Sequence, residues 1–318
     1  MNTPTGITTP SITTADITTP DNTTRPADAA VQPYDTTDQI TQEVLRRFEE
    51  TPDPRLREIM RSLVKHLHAF AKEVKLTSEE WLYAMQKLEE TGKWCAPGRN
   101  EFIIFSDALG LSMLTVTQDY RRPAGATEPT LLGPFLLEGA PQFEMGADIS
   151  AGAVGTPLHA QGRVLDLQGQ PVANAVIDVW HSDDRGLYDV QDGFEQNGAW
   201  ARGQLTTGAD GRWHFWSVMP VDYPIPQDGT AIEMLRATTG RSMRPAHLHF
   251  RIVAPGQRPL VTHIFDRQSQ VLNNDAVFGV RPSLVADFVR HAAGTAPDGR
   301  VMDAPYCTLD YDFVMAPL

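Results

Sequence analysis

Cysteine, basic residues and long apolar runs are all scarce in this chain of 318 residues. The two cysteines, Cys95 and Cys307, lie far apart and form no metal-ligand spacing. A bridge between them stays open, but reduced thiols in a cytoplasmic protein are the expectation. Lysine and arginine number 27 against 40 acidic residues, a formal net charge of −13. That balance argues against nucleic acid or an anionic membrane as partner, since both require basic patches. A small acidic or phenolic substrate would still need local positive charge. No apolar run reaches the eighteen or so residues of a spanning helix, so the protein is expected not to be transmembrane. Nor does the N-terminus read as basic then apolar, the pattern of a signal peptide.

What is present divides into three stretches. Residues 1–36 are rich in Thr, Pro and Asp with few large apolar side chains, and read as a disordered tail. Residues 37–120 carry helical periodicity. Ile40, Val44, Leu45 and Phe48 make one face, and Leu56, Ile59, Met60, Leu63, Val64, Leu67, Phe70, Ala71 and Val74 make a longer stripe. Thr77-Ser78-Glu79-Glu80 starts a third helix that Gly92 stops, and a fourth is predicted from Phe102 to about Val116. His66 and His68 sit two apart within these helices, on different faces, and read as ordinary surface or satisfied histidines.

Residues 121–318 turn to short strands with turn residues between them. Val164 to Val172 reads as a strand followed by a Gly-containing turn, and Ala175 to Trp180, Trp213 to Trp216, His247 to Val253, Leu260 to Phe265 and Tyr306 to Phe313 read as strands. Asp210-Gly211 is a hairpin signal, Pro255-Gly256 marks a second turn, and a short helix is predicted near Ser283 to Arg290. The spacing predicts an antiparallel β-sandwich behind an N-terminal helical region, an α+β class weighted towards β.

The chemistry concentrates in the third stretch. His247-Leu248-His249 in an extended segment puts both imidazoles on one face, because strand side chains alternate with period two. Tyr188 follows Arg185-Gly186-Leu187, and Tyr223 lies in Pro220-Val221-Asp222-Tyr223-Pro224-Ile225-Pro226. Taken singly, each tyrosine is more often structural, and His181 and His214 beside strands are equally ordinary. Together with the histidine pair, two phenolates would make an N2O2 set with no thiolate, suited to oxidised iron rather than to zinc or copper(I).

From about residue 38 to the end the chain resembles the intradiol ring-cleavage dioxygenases. Four stretches carry the resemblance in order: Gly162 to Trp180, Arg185 to Asp189, Pro220 to Pro226 with Asp228-Gly229, and Arg244-Pro245-Ala246-His247-Leu248-His249-Phe250. The resemblance implies a non-haem Fe(III) centre, one per chain, held by Tyr188, Tyr223, His247 and His249. It implies that a catecholic substrate displaces Tyr223 and is cleaved by O2 between its hydroxyls. Arg244 would lie against the ring and stabilise developing negative charge. It also implies a homodimer through the N-terminal helices and a phospholipid bound there, although the stripe from Leu56 to Val74 would equally suit a helical cover on the sandwich.

Within the family, Thr262-His263-Ile264-Phe265, Asp275 to Val280, Thr130 to Phe135 and Phe105-Ser106-Asp107 resemble the hydroxyquinol-cleaving subgroup. Substrate contacts are then expected from Asp107, Gly133, Pro134, Phe135, Ile225, Pro226, Arg244 and His263. Asp107 would receive the third hydroxyl of hydroxyquinol, and a pocket with such a buried partner rejects a substrate lacking it. A helix N-cap role for Asp107 is an equal alternative. Asp266 to Asn274 departs from the subgroup by lacking its glycine. Catechol or chlorocatechol cleavage, a zinc-loaded relative and a non-catalytic metal-binding sandwich are the competing readings.

Overall fold

A computed structural model describes residues 34, 36–96, 99–119, 123–192 and 194–318. The tail predicted to be disordered lies, but for Tyr34 and Thr36, outside the described residues. Two compact units divide the chain, residues 1–86 and 87–318. No described helix is long and apolar enough to cross a membrane.

The first unit is helical. Helix α1 (Thr37–Phe48) starts at a capping box of Thr36 and Gln39, and α2 (Pro54–Glu73) at Asp53 with proline in its first turn. The two pack antiparallel. Lys72 at the end of α2 reaches Asp38 at the start of α1 at 2.7 Å, and His68 Nδ1 lies 3.0 Å from Thr41 Oγ1. Helix α3 (Ser78–Lys93) opens on a second box, Thr77 with Glu80, as its sequence predicts.

In the second unit the predicted fourth helix is two, α4 (Glu101–Ala108) and α5 (Leu111–Asp119). Gly110 between them takes φ +73°, a left-handed conformation that ends α4 and lets the chain restart. The strands are β1 (Pro157–Leu165), β2 (Val176–His181), β3 (Arg202–Thr206), β4 (Arg212–Val218), β5 (Tyr223–Pro224), β6 (Met243–Arg244), β7 (His247–Val253) and β8 (Leu260–Asp266). They continue as β9 (Val285–Ala286), β10 (Val289–His291), β11 (Gly294–Thr295), β12 (Val301–Met302), β13 (Tyr306–Asp310) and β14 (Phe313–Val314), with α6 (Phe194–Asn197) and α7 (Thr230–Ala237) among them.

One sheet runs β10-β13-β1-β14 with β4 on β1, and the other runs β3-β2-β7-β8-β9. A single buried cluster takes Leu158, Ala160, Trp213, Phe215 and Leu309 from the first and Ile177, Val179, Leu248, Phe250, Ile252 and Ile264 from the second. That is a β-sandwich. Its central pairings are antiparallel, while β1·β13, β1·β14 and β8·β9 are parallel.

Two local expectations are corrected. Asp210-Gly211 is not a hairpin, because β3 pairs with β2 and β4 with β1, so this turn carries the chain between sheets. The helix expected over Ser283 to Arg290 is a single 3-10 turn, Pro282–Leu284, followed by β9 and β10. The strand expected at Val164 starts earlier, at Pro157, and ends at Leu165, ahead of the glycine-containing turn that its sequence predicts.

Candidate metal centre and substrate cavity

Alternation along β7 decides where the site lies. Leu248, Phe250 and Ile252 enter the sandwich core, so His247 and His249 face away from it on the outer surface of their sheet. The antiparallel register sets Trp180 of β2 and His263 of β8 on either side of His249. The indole stacks on the imidazole with centroids 4.7 Å apart and planes 15° apart, and His263 stands edge-on at 4.1 Å. Tyr188 and Tyr223 arrive on the segments that cover this face, Tyr223 from the short β5 beside β6.

Four donor atoms converge there. Tyr188 Oη lies 3.1 Å from Tyr223 Oη, 3.5 Å from His247 Nε2 and 3.0 Å from His249 Nε2, and the two Nε2 atoms are 3.1 Å apart. His247 Nδ1 is 2.6 Å from the Pro245 carbonyl, an acceptor only, so Nδ1 carries the proton and Nε2 presents a lone pair. Burial, then neighbouring positive groups, pushes the His249 and His263 imidazoles well below the usual range, and His247 is lowered by burial and Arg244. Burial, reinforced by Tyr223, pushes the Tyr188 phenol well above its usual range. Uncharged donors packed edge to edge in a dry site are what a cation about 2 Å from each would draw together. The residues therefore fit a metal ion of hard, oxygen-loving character. His263 lies within 4.8 Å of the histidine pair by its nearest donor atoms.

Arg244 brings a positive charge to this cluster. Burial opposes its charge, but Asp275 and the two phenols outweigh burial and raise its pKa. Its Nε donates to Asp275 Oδ1 at 3.2 Å, Nη1 lies 3.3 Å from His247 Nε2 and 3.5 Å from Tyr223 Oη, and Nη2 has no protein partner. Asp275 is held in turn by the backbone N–H groups of Val277 and Gly279.

Beside the donors opens a cavity of about 660 Å³ lined by Ile103, Asp107, Leu131, Leu132, Gly133 and Pro134 among others. Gly133, at φ +73°, joins it to the donors, since a Cβ there would come 3.0 Å from His249 Cε1. Phe135 packs on Tyr188 with centroids 4.6 Å apart, and Ile225 packs with Ile104, Ala108 and Leu131. Pro226 is half-buried next to it. Asp107 is not an N-cap, because Asn100 caps α4 and Asp107 sits in its last turn, almost fully buried. Burial pushes its carboxyl up, against the pull of Ser112 and Arg244.

Several residues around the site were not expected from the sequence. Trp180 against His249, Asp275 against Arg244, and Asp222 behind Tyr223 depend on register or on long loops. A buried ion pair joins Arg202 and Asp189, the residue after Tyr188, at 2.6 and 2.7 Å.

Comparison with known proteins gives the family. Residues 53–127 match the family model "Catechol dioxygenase N terminus" and residues 133–317 match "Dioxygenase". A 6-chlorohydroxyquinol 1,2-dioxygenase from Cupriavidus pinatubonensis is 49% identical over 90% of this chain and 99% of its own. A hydroxyquinol 1,2-dioxygenase from Nocardioides simplex is 46% identical over 87% of this chain and 94% of its own. The solved hydroxyquinol 1,2-dioxygenase of Pseudomonas putida DLL-E4 superposes with a TM-score of 0.82 at 43% identity, covering 89% of this chain and 99% of that one. The chain belongs to the intradiol ring-cleavage dioxygenases, iron-dependent oxidoreductases.

Proposed function

We propose that this protein cleaves hydroxyquinol (1,2,4-trihydroxybenzene) between its adjacent hydroxyls, giving 3-hydroxy-cis,cis-muconate and its keto form maleylacetate. Both atoms of O2 enter the product, so no external reductant is needed. The observation that carries the reading is the convergence of two phenols and two neutral imidazoles beside a buried arginine. In this reading Tyr188, Tyr223, His247 and His249 hold one Fe(III) per chain. Iron bound there would supply a Lewis acid that keeps the substrate as its dianion and opens its ring to attack by O2.

The chain's own groups do the rest. Held as a phenolate by the iron, Tyr223 Oη would be the base placed to accept a substrate proton. Arg244 balances the negative charge that develops on the ring oxygens, with Nη2 free to donate. Asp107 accepts from the third hydroxyl at the far side of the cavity. His263, Gly133, Pro134, Phe135, Ile225 and Pro226 wall the ring and keep water out. The hydroxyquinol names of relatives at 43–49% identity support this substrate over catechol.

The same reading makes the protein a cytoplasmic homodimer joined through the N-terminal helices, with a phospholipid in their apolar stripe. Both cysteines are free, which suits a reducing compartment. Lipid extraction and mass spectrometry test the last of these.

Oxygen uptake with hydroxyquinol and catechol side by side, corrected with boiled enzyme, tests the function. Fast uptake with hydroxyquinol and maleylacetate as product is expected. A preference for catechol, yielding cis,cis-muconate, would keep the iron site and overturn the roles of Asp107 and His263.

A further inference from the structure

The loop from Asp266 to Asn274 is where the sequence departs from the hydroxyquinol subgroup, and in the structure one carboxylate ties it to the back of the site. Asp222 Oδ1 accepts from Ala246 N at 2.8 Å and from Ser269 Oγ at 2.6 Å, and Oδ2 accepts from Gln270 N at 2.9 Å. Asp222 directly precedes Tyr223, and Ala246 directly precedes His247. The other side of Ala246 is used as well, its carbonyl accepting from Asp266 N at 2.9 Å. A single side chain thus joins the tyrosine segment, the histidine strand and the loop.

The backbone around Tyr223 explains why such a tie matters. Strand β5 is two residues long and pairs only with the equally short β6, Tyr223 facing Arg244. A ladder this short holds a side chain weakly. Three hydrogen bonds to an ionised carboxylate are stronger individually than neutral ones, and they fix geometry as well as energy.

We propose that Asp222 is a positioning residue that fixes the Tyr223 phenol relative to His247, with Ser269 setting how readily the phenol yields its place to a substrate oxygen. This rests on the reading of Tyr223 as an iron ligand. Ser269 is half-buried in a loop, so its hydroxyl is removable without opening a core cavity.

The test uses the iron-loaded full chain, mixed without oxygen with hydroxyquinol, following the visible tyrosinate-to-iron absorption. In Ser269→Ala, iron content and Tm should hold while the displacement rate rises about three- to tenfold, the range that one hydrogen bond supports. Ser269→Thr, which keeps the hydroxyl, should restore the wild-type rate. Asp222→Asn should shift the resting absorption band itself, since an amide N–H would face a backbone N–H. If Asp222→Asn does not fold, Ser269→Ala decides alone. An unchanged displacement rate in Ser269→Ala, with any effect confined to Tm, would overturn the proposal and leave the iron reading intact. A colourless wild-type protein without iron would instead remove the ligand reading, and the clamp with it.

Discussion

Arg244 shows at the scale of one side chain how the site is built. The residue is 5% exposed, its Nε is fixed by Asp275, and its Nη1 reaches toward Tyr223 and His247. A planar fork can satisfy both neighbours at once, which a lysine point charge cannot. In Arg244→Ala, kcat is expected to fall about 10²–10³-fold, the usual loss for one preorganised donor at developing charge, with iron content retained. Parallel assays of turnover and bound iron check this, and equal loss of both would make Arg244 a structural residue. The histidine pair was legible in the sequence because period-two alternation is local. The groups that hold Arg244 and Ala246 were not. Asp275 lies 31 residues from Arg244 and Asp222 lies 24 from Ala246, and no periodicity spans such separations.

Among the elements, legibility followed the same physics. Strand β7 could be read from its sequence because its alternation matches its burial, with apolar residues to the core and imidazoles to the site. The short elements could not. Asp210-Gly211 has the chemistry of a hairpin turn, yet strand partners are chosen by tertiary packing, and this turn links the two sheets instead. His181, the last residue of β2, bridges those sheets by a side chain. Its Nδ1 donates to the Ser182 carbonyl at 2.8 Å, and its Nε2 accepts from Ser217 Oγ of β4 at 2.8 Å. Burial lowers its pKa to about 4, against 6.5 for an ordinary histidine. Between those values the unfolded chain takes up a proton that the folded chain refuses. Stability should therefore be full above pH 6.5 and decline by about 3 kcal/mol as pH falls to 4. Buried Asp107, Asp178 and Asp266, their carboxyls raised first by burial, act in the opposite sense as pH falls. The comparison is therefore with His181→Gln, in urea unfolding at a series of pH values. The wild type should lose stability more steeply between pH 6.5 and 4, and parallel profiles would disprove the assignment.

On the scale of the whole molecule, the apolar surface of the first unit sets the expectation. Helix α1 buries no residue and α2 buries only Val64, although both are strongly amphipathic. Leu63, Leu67 and Phe70 along one face of α2, with Val74 at its C-cap continuing the spacing, are each more than half exposed, and so are Trp81 and Tyr83 of α3. A contiguous apolar face of this kind on a chain carrying a net charge of −13 is not a solvated surface. In the proposed homodimer a second copy of the chain would cover this face with its own, because a two-fold interface presents the same patch from both sides. Stable pairs of this type bury about 1,200–2,000 Å² or more, within reach of two facing helices. Sedimentation equilibrium should therefore give twice the chain mass for the wild type. Introducing Leu67→Glu with Phe70→Glu places two charges in each copy of the face and should shift the protein towards the chain mass. Because these positions belong to the first unit and the donors to the second, the visible tyrosinate-to-iron absorption should survive in the variant. A wild type that stays at the chain mass at tens of micromolar would rule out the dimer while leaving the iron chemistry of the second unit untouched.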